Sequence, residues 1–308
     1  MNVVTGAFGY IGRYITRQLL DSGQEVKTIT THPDKPNPFG EAVQAFPYDF
    51  DRPERLVESL RGVEVLYNTY WIRFEHGLAT FSGAVQNTRT LFECAQHAGV
   101  RRIVHISVTN PDPDCDLPYY RGKALQERSL QELDLSYSIV RPTLVFGVED
   151  ILVNNIAWLM RTFPLFPIFG SGEYRLQPVF VGDLAQIAVE EGGAAGDKVI
   201  DAVGPETFTY EGMVQLMGSY LKPNLSYPHM PAWLGVGLGK IIGLAVGDVI
   251  LTRDEAQGLM EERLTSSQPP NGSTKFSEWI ASHKDEIGLS YTSEMKRHFN
   301  WMPRPDDK

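Results

Sequence analysis

The sequence predicts a doubly wound α/β fold, a parallel sheet with helices on both faces, and after it a smaller, mainly helical C-terminal lobe. Three observations predict this. Strand-like and helix-like segments alternate from the first residues to about residue 205. A glycine-rich bend, Thr5-Gly6-Ala7-Phe8-Gly9-Tyr10-Ile11-Gly12, joins the first strand to the first helix. The chain beyond Pro205 loses the alternation and becomes helical and rich in aromatic residues. A length of 308 residues accommodates one large α/β domain with an appended lobe.

Val3-Val4 forms the core of the first strand, and Tyr10 to Asp21 the first helix, where Ile11, Ile15 and Leu19 recur on one face. Ser22-Gly23 ends that helix, and Glu25 to Thr31 rises as the second strand. Ala42 to Phe46 is a third strand, Pro53 to Leu60 a helix and Val63 to Tyr67 a fourth strand. A long helix from about Ala79 to His97 stops at Ala98-Gly99. Arg102 to Ser107 is the fifth strand, Pro118 to Leu133 a helix, Leu135 to Val145 a sixth strand and Val199 to Val203 a seventh. Gln268-Pro269-Pro270-Asn271-Gly272 marks a loop within the C-terminal third.

With 38 acidic and 28 basic residues the chain carries a net charge of −10, which repels phosphate backbones and anionic lipid. Nucleic acid is therefore not an expected partner, and neither is a membrane. The apolar, glycine-rich run Ala232 to Val246 is shorter than the roughly 20 residues of a membrane span and reads as a packed helix. The two cysteines, Cys94 and Cys115, supply neither a disulfide framework nor a zinc site, and the seven histidines show no ligand spacing, so no metal is expected. His105, inside a strand, reads as a satisfied core residue, and Glu190-Glu191 as a solvated helix face. No secretory signal is seen ahead of the first strand, and the expected location is the cytoplasm.

The bend after the first strand has the chemistry of a diphosphate cradle. Gly6 allows the tight turn, Gly9 lets backbone N–H groups approach an anion, and Gly12 lets the helix pack closely on the sheet. The helix N-terminus adds partial positive charge. Farther along, Tyr119 and Lys123 stand four residues apart on a helix begun by Pro118, so they share a face. An ammonium beside a tyrosine hydroxyl favours the phenolate and makes the pair a proton-exchanging group. Tyrosine and lysine at this spacing also occur by chance, as a half-buried ring and a solvated charge.

In these motifs, together with His105-Ile106-Ser107, Ser138-Ile139-Val140-Arg141-Pro142 and Pro178 to Asp183, the chain resembles the short-chain dehydrogenase/reductase superfamily in its extended and atypical branches. The tail after Pro205 resembles the substrate lobe of NmrA-like proteins and of a complex I accessory subunit. The resemblance implies a dinucleotide-binding Rossmann domain over 1–148 and 178–205, and a substrate lobe over 149–177 and 206–308. It implies that Gly6, Phe8, Gly9, Tyr10, Ile11 and Gly12 face the diphosphate, that Thr31 and Lys35 face the adenosine ribose, and that Asp49 and Phe50 face the adenine. Asn68, Thr69 and Tyr70 would pass beside the cofactor, with Lys123 on the nicotinamide ribose. Tyr70 or Trp71 lines the nicotinamide end or packs in the core; the sequence leaves both open.

Tyr119 would exchange the proton, Lys123 lower its pKa and Ser107 hold a substrate carbonyl or hydroxyl, while Arg141 is available to an anionic group. Ala84 stands where many relatives carry Asn, and Asn87 lies one turn on. The second strand ends in Ile29-Thr30-Thr31-His32-Pro33 without the acid that holds a ribose 2′-hydroxyl, which favours NADP(H) slightly over NAD(H), although Asp34 weighs the other way. The implied activity is that of an NAD(P)-dependent oxidoreductase, or an epimerase or dehydratase, on a small carbonyl or hydroxyl substrate. The alternative is a non-catalytic NAD(P)H-binding regulator or accessory subunit. A homodimer is a family expectation.

Overall fold

The computed structural model describes residues 1–249 and 252–299. The chain divides into two compact units, one of Met1–Pro142 and Val181–Ala202, the other of Thr143–Phe180 and Val203 onward. The first unit begins with β1 (Asn2–Thr5), α1 (Tyr10–Asp21), β2 (Val26–Thr30), β3 (Val43–Pro47) and α2 (Pro53–Leu60). It continues with β4 (Val65–Asn68), α3 (Phe81–His97), β5 (Arg102–Ile106), α4 (Pro118–Gln131) and β6 (Ser136–Pro142). The second unit takes β7 (Leu144–Phe146), α5 (Leu152–Thr162), β8 (Ile168–Phe169), β9 (Arg175–Leu176) and β10 (Pro178–Phe180). The first unit is then completed by α6 (Val181–Gly193) and β11 (Lys198–Ala202). The second resumes with β12 (Phe208–Thr209), α7 (Tyr210–Leu221), β13 (His229–Met230), α8 (Ala232–Val246), α9 (Arg253–Met260) and α10 (Phe276–Ser282).

The first unit is the expected doubly wound sheet. Its seven strands run parallel in the order β11-β6-β5-β4-β1-β2-β3, so the strand order reverses between β1 and β4. One face is covered by α2, α3 and α4 through Leu56, Leu60, Leu91, Phe92 and Leu130, which pack with Val3, Leu66 and Ile103 of the strands. On the other face α1 meets α6, where the Gln18 amide donates to the Gly182 carbonyl at 2.9 Å. Both faces being covered explains why β1, β4 and β5 are buried at every position. Gly23 and Gly99, with φ of 75° and 77°, end α1 and α3 where the sequence places their stops.

The segment Leu135 to Val145, expected as one strand, is two. It breaks at Thr143: β6 stays in the sheet, while β7 pairs in parallel with β10 in the second unit. The C-terminal lobe is mainly helical as expected, with two-stranded ribbons among the described residues whose pairings the sequence does not announce. Strands of two or three residues are too short to show a period. Its core centres on Phe146, whose ring meets Phe276 and Trp279, each at 5.1 Å. The amides of Asn154 and Asn155 hold the stretch from Gly288 to Thr292 by hydrogen bonds to its backbone. Among the described residues no helix is long and apolar enough to cross a membrane.

At the amino edge of the sheet the fully buried Arg102 is saturated with acceptors. It donates to the carbonyls of Glu191 (2.7 Å) and Gly196 (3.0 Å) and to the hydroxyls of Ser136 and Ser138 (2.5 Å each). The Glu191 carboxylate accepts from Ser138 at 2.5 Å and lies 3.3 Å from Lys198. Glu191 is therefore a structural partner and not the solvated helix-face residue expected from Glu190-Glu191. Replacing Arg102 with Leu should cost about 3 kcal/mol of stability, because it strands buried acceptors and a partly buried carboxylate. Urea unfolding monitored by circular dichroism checks this, and cofactor affinity of the folded variant should be unchanged because the carboxyl edge is untouched.

Candidate functional site

The reversal point places the ends of β1 and β4 side by side. Thr69 donates its N–H to Thr5 Oγ1 (2.7 Å) and its hydroxyl to the Thr5 carbonyl (2.6 Å), which fixes the two ends against each other. From Thr5 the chain enters the glycine bend. Gly6 has φ +64°, and its carbonyl accepts the Gly9 N–H at 2.8 Å. A Cβ on Gly9 would stand 3.1 Å from the Gly6 oxygen, and one on Gly12 would collide with it. No side chain caps α1, and no acidic residue stands in its first turn. The amino end of α1, with Tyr10 and the half-buried Ile11, thus keeps the electrostatic character that suits a diphosphate. Phe8 is buried, and its carbonyl accepts from Arg13 at 3.4 Å. The bend fits the phosphates of a dinucleotide.

Asn68 does not offer its side chain to a ligand. It is fully buried, and its Oδ1 accepts from Thr5 Oγ1 (3.0 Å) and the Tyr70 N–H (3.2 Å). That turns its Nδ2 toward His105 Nδ1, 3.0 Å away, and assigns the imidazole proton to Nε2. His105 is thus only half satisfied in its buried site, since Nε2 meets no hydrogen-bond partner among the described residues. Burial and the nearby Lys123 ammonium push its pKa well below the ordinary histidine range, so it stays neutral.

Toward the adenosine end, Thr31 is exposed just beyond β2. Lys35 closes a turn on His32, its N–H donating to the His32 carbonyl at 3.2 Å, and helps burial hold the His32 imidazole below its usual pKa. Asp49, assigned to adenine, is held by Arg52 (2.8 Å) and Arg55 (3.8 Å). Phe50 stacks on Tyr48 at 4.8 Å, and Tyr70 leans on both rings. The Tyr70 hydroxyl accepts from Asn87 Nδ2 at 3.0 Å, so both side chains join this aromatic cluster.

The face of α4 brings the predicted pair to the carboxyl edge. Tyr119 is half-buried, and its ring meets Trp71 at 5.8 Å and Phe81 at 6.3 Å, edge to face. Lys123 is buried at 3% exposure. Its Nζ donates to the Ile106 carbonyl at 2.8 Å and lies 4.9 Å from the Trp71 ring centroid. Trp71 sits so close to α4 that a Cβ on Gly122 would meet it at 2.5 Å. Trp71 thus packs on this face of α4 beside Lys123 and Tyr119. Desolvation pushes the Lys123 ammonium down to about 7, opposed by the Glu127 carboxylate.

Ser107 is placed differently from the expectation. It is 4% exposed, and its hydroxyl donates to Glu127 Oε1 at 2.5 Å, so its proton is turned inward in this structure. Arg141, thought available to an anion, forks onto the same Glu127 carboxylate through Nε (2.9 Å) and Nη2. Glu127, 3% exposed, is the residue the sequence reading missed. The signal was present: Tyr119, Lys123 and Glu127 recur at spacing four on one helix face.

The glycine bend at the reversal point and the lysine-bearing helix beyond it define a dinucleotide-binding domain. Residues 6–147 match the NAD(P)H-binding family, and the resemblance to the extended reductases and epimerases read from the sequence holds. Over 239 residues the chain is 25% identical to NADH dehydrogenase [ubiquinone] 1 alpha subcomplex subunit 9, mitochondrial, of Arabidopsis thaliana, covering 74% of this chain and 60% of that protein. The chain thus spans about three fifths of that relative. It is also 25% identical over 313 residues to a ceramide reductase of Caulobacter vibrioides, covering 98% of this chain and 96% of the other. The Citrobacter sp. triphenylmethane reductase complexed with NADP(H) superposes with a TM-score of 0.73 at 17% identity, covering 92% of this chain and all of that one. At that identity the likeness speaks for the fold alone.

Lys123 also predicts a pH dependence. Its folded pKa of about 7 lies below the ordinary 10.5, so between these values the unfolded chain binds the extra proton. The lysine's contribution to stability is therefore least favourable below pH 7 and improves as pH rises toward 10.5. Relative to Lys123→Met, the wild-type protein should gain stability across this window and show a constant difference below it. Urea unfolding of both proteins from pH 6 to 10 measures the effect.

Proposed function

We propose that the chain is an NAD(P)H-dependent reductase acting on a small carbonyl compound with an apolar or aromatic flank. The observation that carries this reading is the face of α4, where a half-buried tyrosine stands one turn from a buried lysine under a tryptophan. The backbone of Gly6 to Gly12 would hold the diphosphate, and Lys123 the nicotinamide ribose. A bound nicotinamide supplies hydride. Tyr119 Oη delivers the proton to the substrate oxygen, and the Lys123 ammonium lowers the cost of the phenolate left behind. Ser107 supports this arrangement through Glu127 and leaves the substrate oxygen to Tyr119. Trp71 and Phe81 exclude water and favour flat or apolar substrates. The ceramide reductase, which matches this chain end to end, supports reduction over epimerisation or dehydration.

NADP(H) is the favoured cofactor in this reading. Lys35, beyond the acid-free end of β2, would face a 2′-phosphate, with the exposed Thr31 leaving room for it. The second reading, an NAD(P)H-binding accessory subunit, is favoured by the similarity to subunit 9 of the mitochondrial NADH dehydrogenase. A stoichiometric partner in a pull-down and no NADPH oxidation across a carbonyl panel would select it.

Tyr119→Phe should lower turnover by about a hundredfold or more, while NADPH affinity changes little. Unchanged turnover removes the assignment. Lys35→Glu should weaken NADPH several-fold and leave NADH nearly unaffected, as read by isothermal titration; equal losses for the two would remove the cofactor preference.

A further inference from the structure

The carboxylate of Glu127 is the meeting point of groups from three elements. Ser107, at the end of β5, donates to one oxygen at 2.5 Å. Arg141, on β6, forks across both. Lys123, one turn earlier on α4, feels the same charge. A carboxylate buried this deeply is costly unless paired, and Arg141 with Ser107 provides that pairing. The ammonium of Lys123 lies in a different setting. From β5 it meets the Ile106 carbonyl and the neutral His105; from the segment after β4 it meets the Trp71 ring; along α4 it feels the Glu127 carboxylate one turn on. From β6 the Arg141 guanidinium, seated on the same carboxylate, is a like charge that opposes it. Glu127 is thus the anion within reach of Lys123 among the described residues.

We propose that Glu127 is a positioning residue: it keeps Lys123 charged beneath Tyr119 and fixes the Ser107 hydroxyl with its proton turned inward. Resting on the reductase reading, this gives the carboxylate two effects. It maintains the cation that would hold the cofactor's ribose. It also leaves Ser107 Oγ with lone pairs only, so a ligand group reaching that oxygen must be a donor, a hydroxyl or an amide N–H, and not a carbonyl.

The test is the protonation of Lys123 in the protein without cofactor, read as the pH step in stability between a protein and its Lys123→Met derivative. In the native background that step begins near pH 7. In Glu127→Gln, which keeps an acceptor for Ser107 but removes the charge, the step should begin about one pH unit lower. Glu127→Asp should restore it even where overall stability falls. Where Glu127→Gln alone does not fold, the double substitution Glu127→Gln/Arg141→Gln removes both members of the ion pair and should show a smaller displacement in the same direction, because the like charge of Arg141 is lost with the carboxylate. A step that keeps its position in the glutamine backgrounds overturns the proposal. Parallel NADPH titrations by tryptophan fluorescence separate it from the reductase reading. Displacement of the step with no NADPH binding leaves Glu127's role standing and removes the reductase; binding with an undisplaced step does the reverse.

Discussion

Holding a lysine ammonium in the interior is the constraint around which the carboxyl edge is organised. Desolvation alone would drive the proton off, so the charge survives only with compensating groups placed within a few ångströms. Here those groups come from different parts of the chain: the carbonyl that ends β5, the indole after β4 and the carboxylate one turn along α4. Each fixes its own element relative to the others. The indole reaches the ammonium because residue 122 is a glycine, since a side chain there would push Trp71 away from the helix. Trp71 in turn packs on Tyr119 and Phe81, so the exposed part of the site inherits its geometry from the buried charge beneath it.

A comparison within one strand separates structural charge from charge held in reserve. Arg102 opens β5 and Ile106 closes it. At the opening, the guanidinium donates to two carbonyls and two hydroxyls, with a carboxylate behind them. Such a group has little left to offer a ligand, and its removal is a matter of stability. At the closing end, Lys123 is held by a carbonyl and a ring face and balanced by a carboxylate already engaged by Arg141 and Ser107. A cation compensated this loosely has protons to direct elsewhere, which is what anchoring a hydroxyl-rich ligand requires.

The fold was legible where its causes are local. Alternation of periods announces the seven-stranded unit, and the spacing of Gly6, Gly9 and Gly12 announces the bend, because each glycine answers to a neighbour a few residues away. Tyr119 and Lys123 were legible together because a helix places positions four apart on one face. What escaped depends on contacts distant in sequence. Ser107 points inward because of a carboxylate twenty residues on, and Arg141 is occupied by that same group. The break at Thr143 is decided by pairing of β7 with β10, more than thirty residues later. Asp49 shows a local cause as well: Arg52 and Arg55, three and six positions along, hold its carboxylate.

The polar network at the reversal point bears on the same charge. Thr5 orients Asn68, Asn68 assigns the His105 tautomer, and a neutral His105 leaves the Lys123 ammonium without a competing cation beneath it. Were Asn68 turned the other way, its carbonyl would call for a proton on His105 Nδ1, the other neutral tautomer. With the imidazole neutral, Lys123 and Glu127 are the buried charges of the α4 face, and the half-buried Arg141 pairs with Glu127 and also feels Asp201. The Lys123 ammonium and the uncapped amino end of α1 give this edge a local positive character within a chain whose net charge is −10. Around the reversal point, low dielectric gives each of these desolvated groups more reach than the solvated majority on the surface.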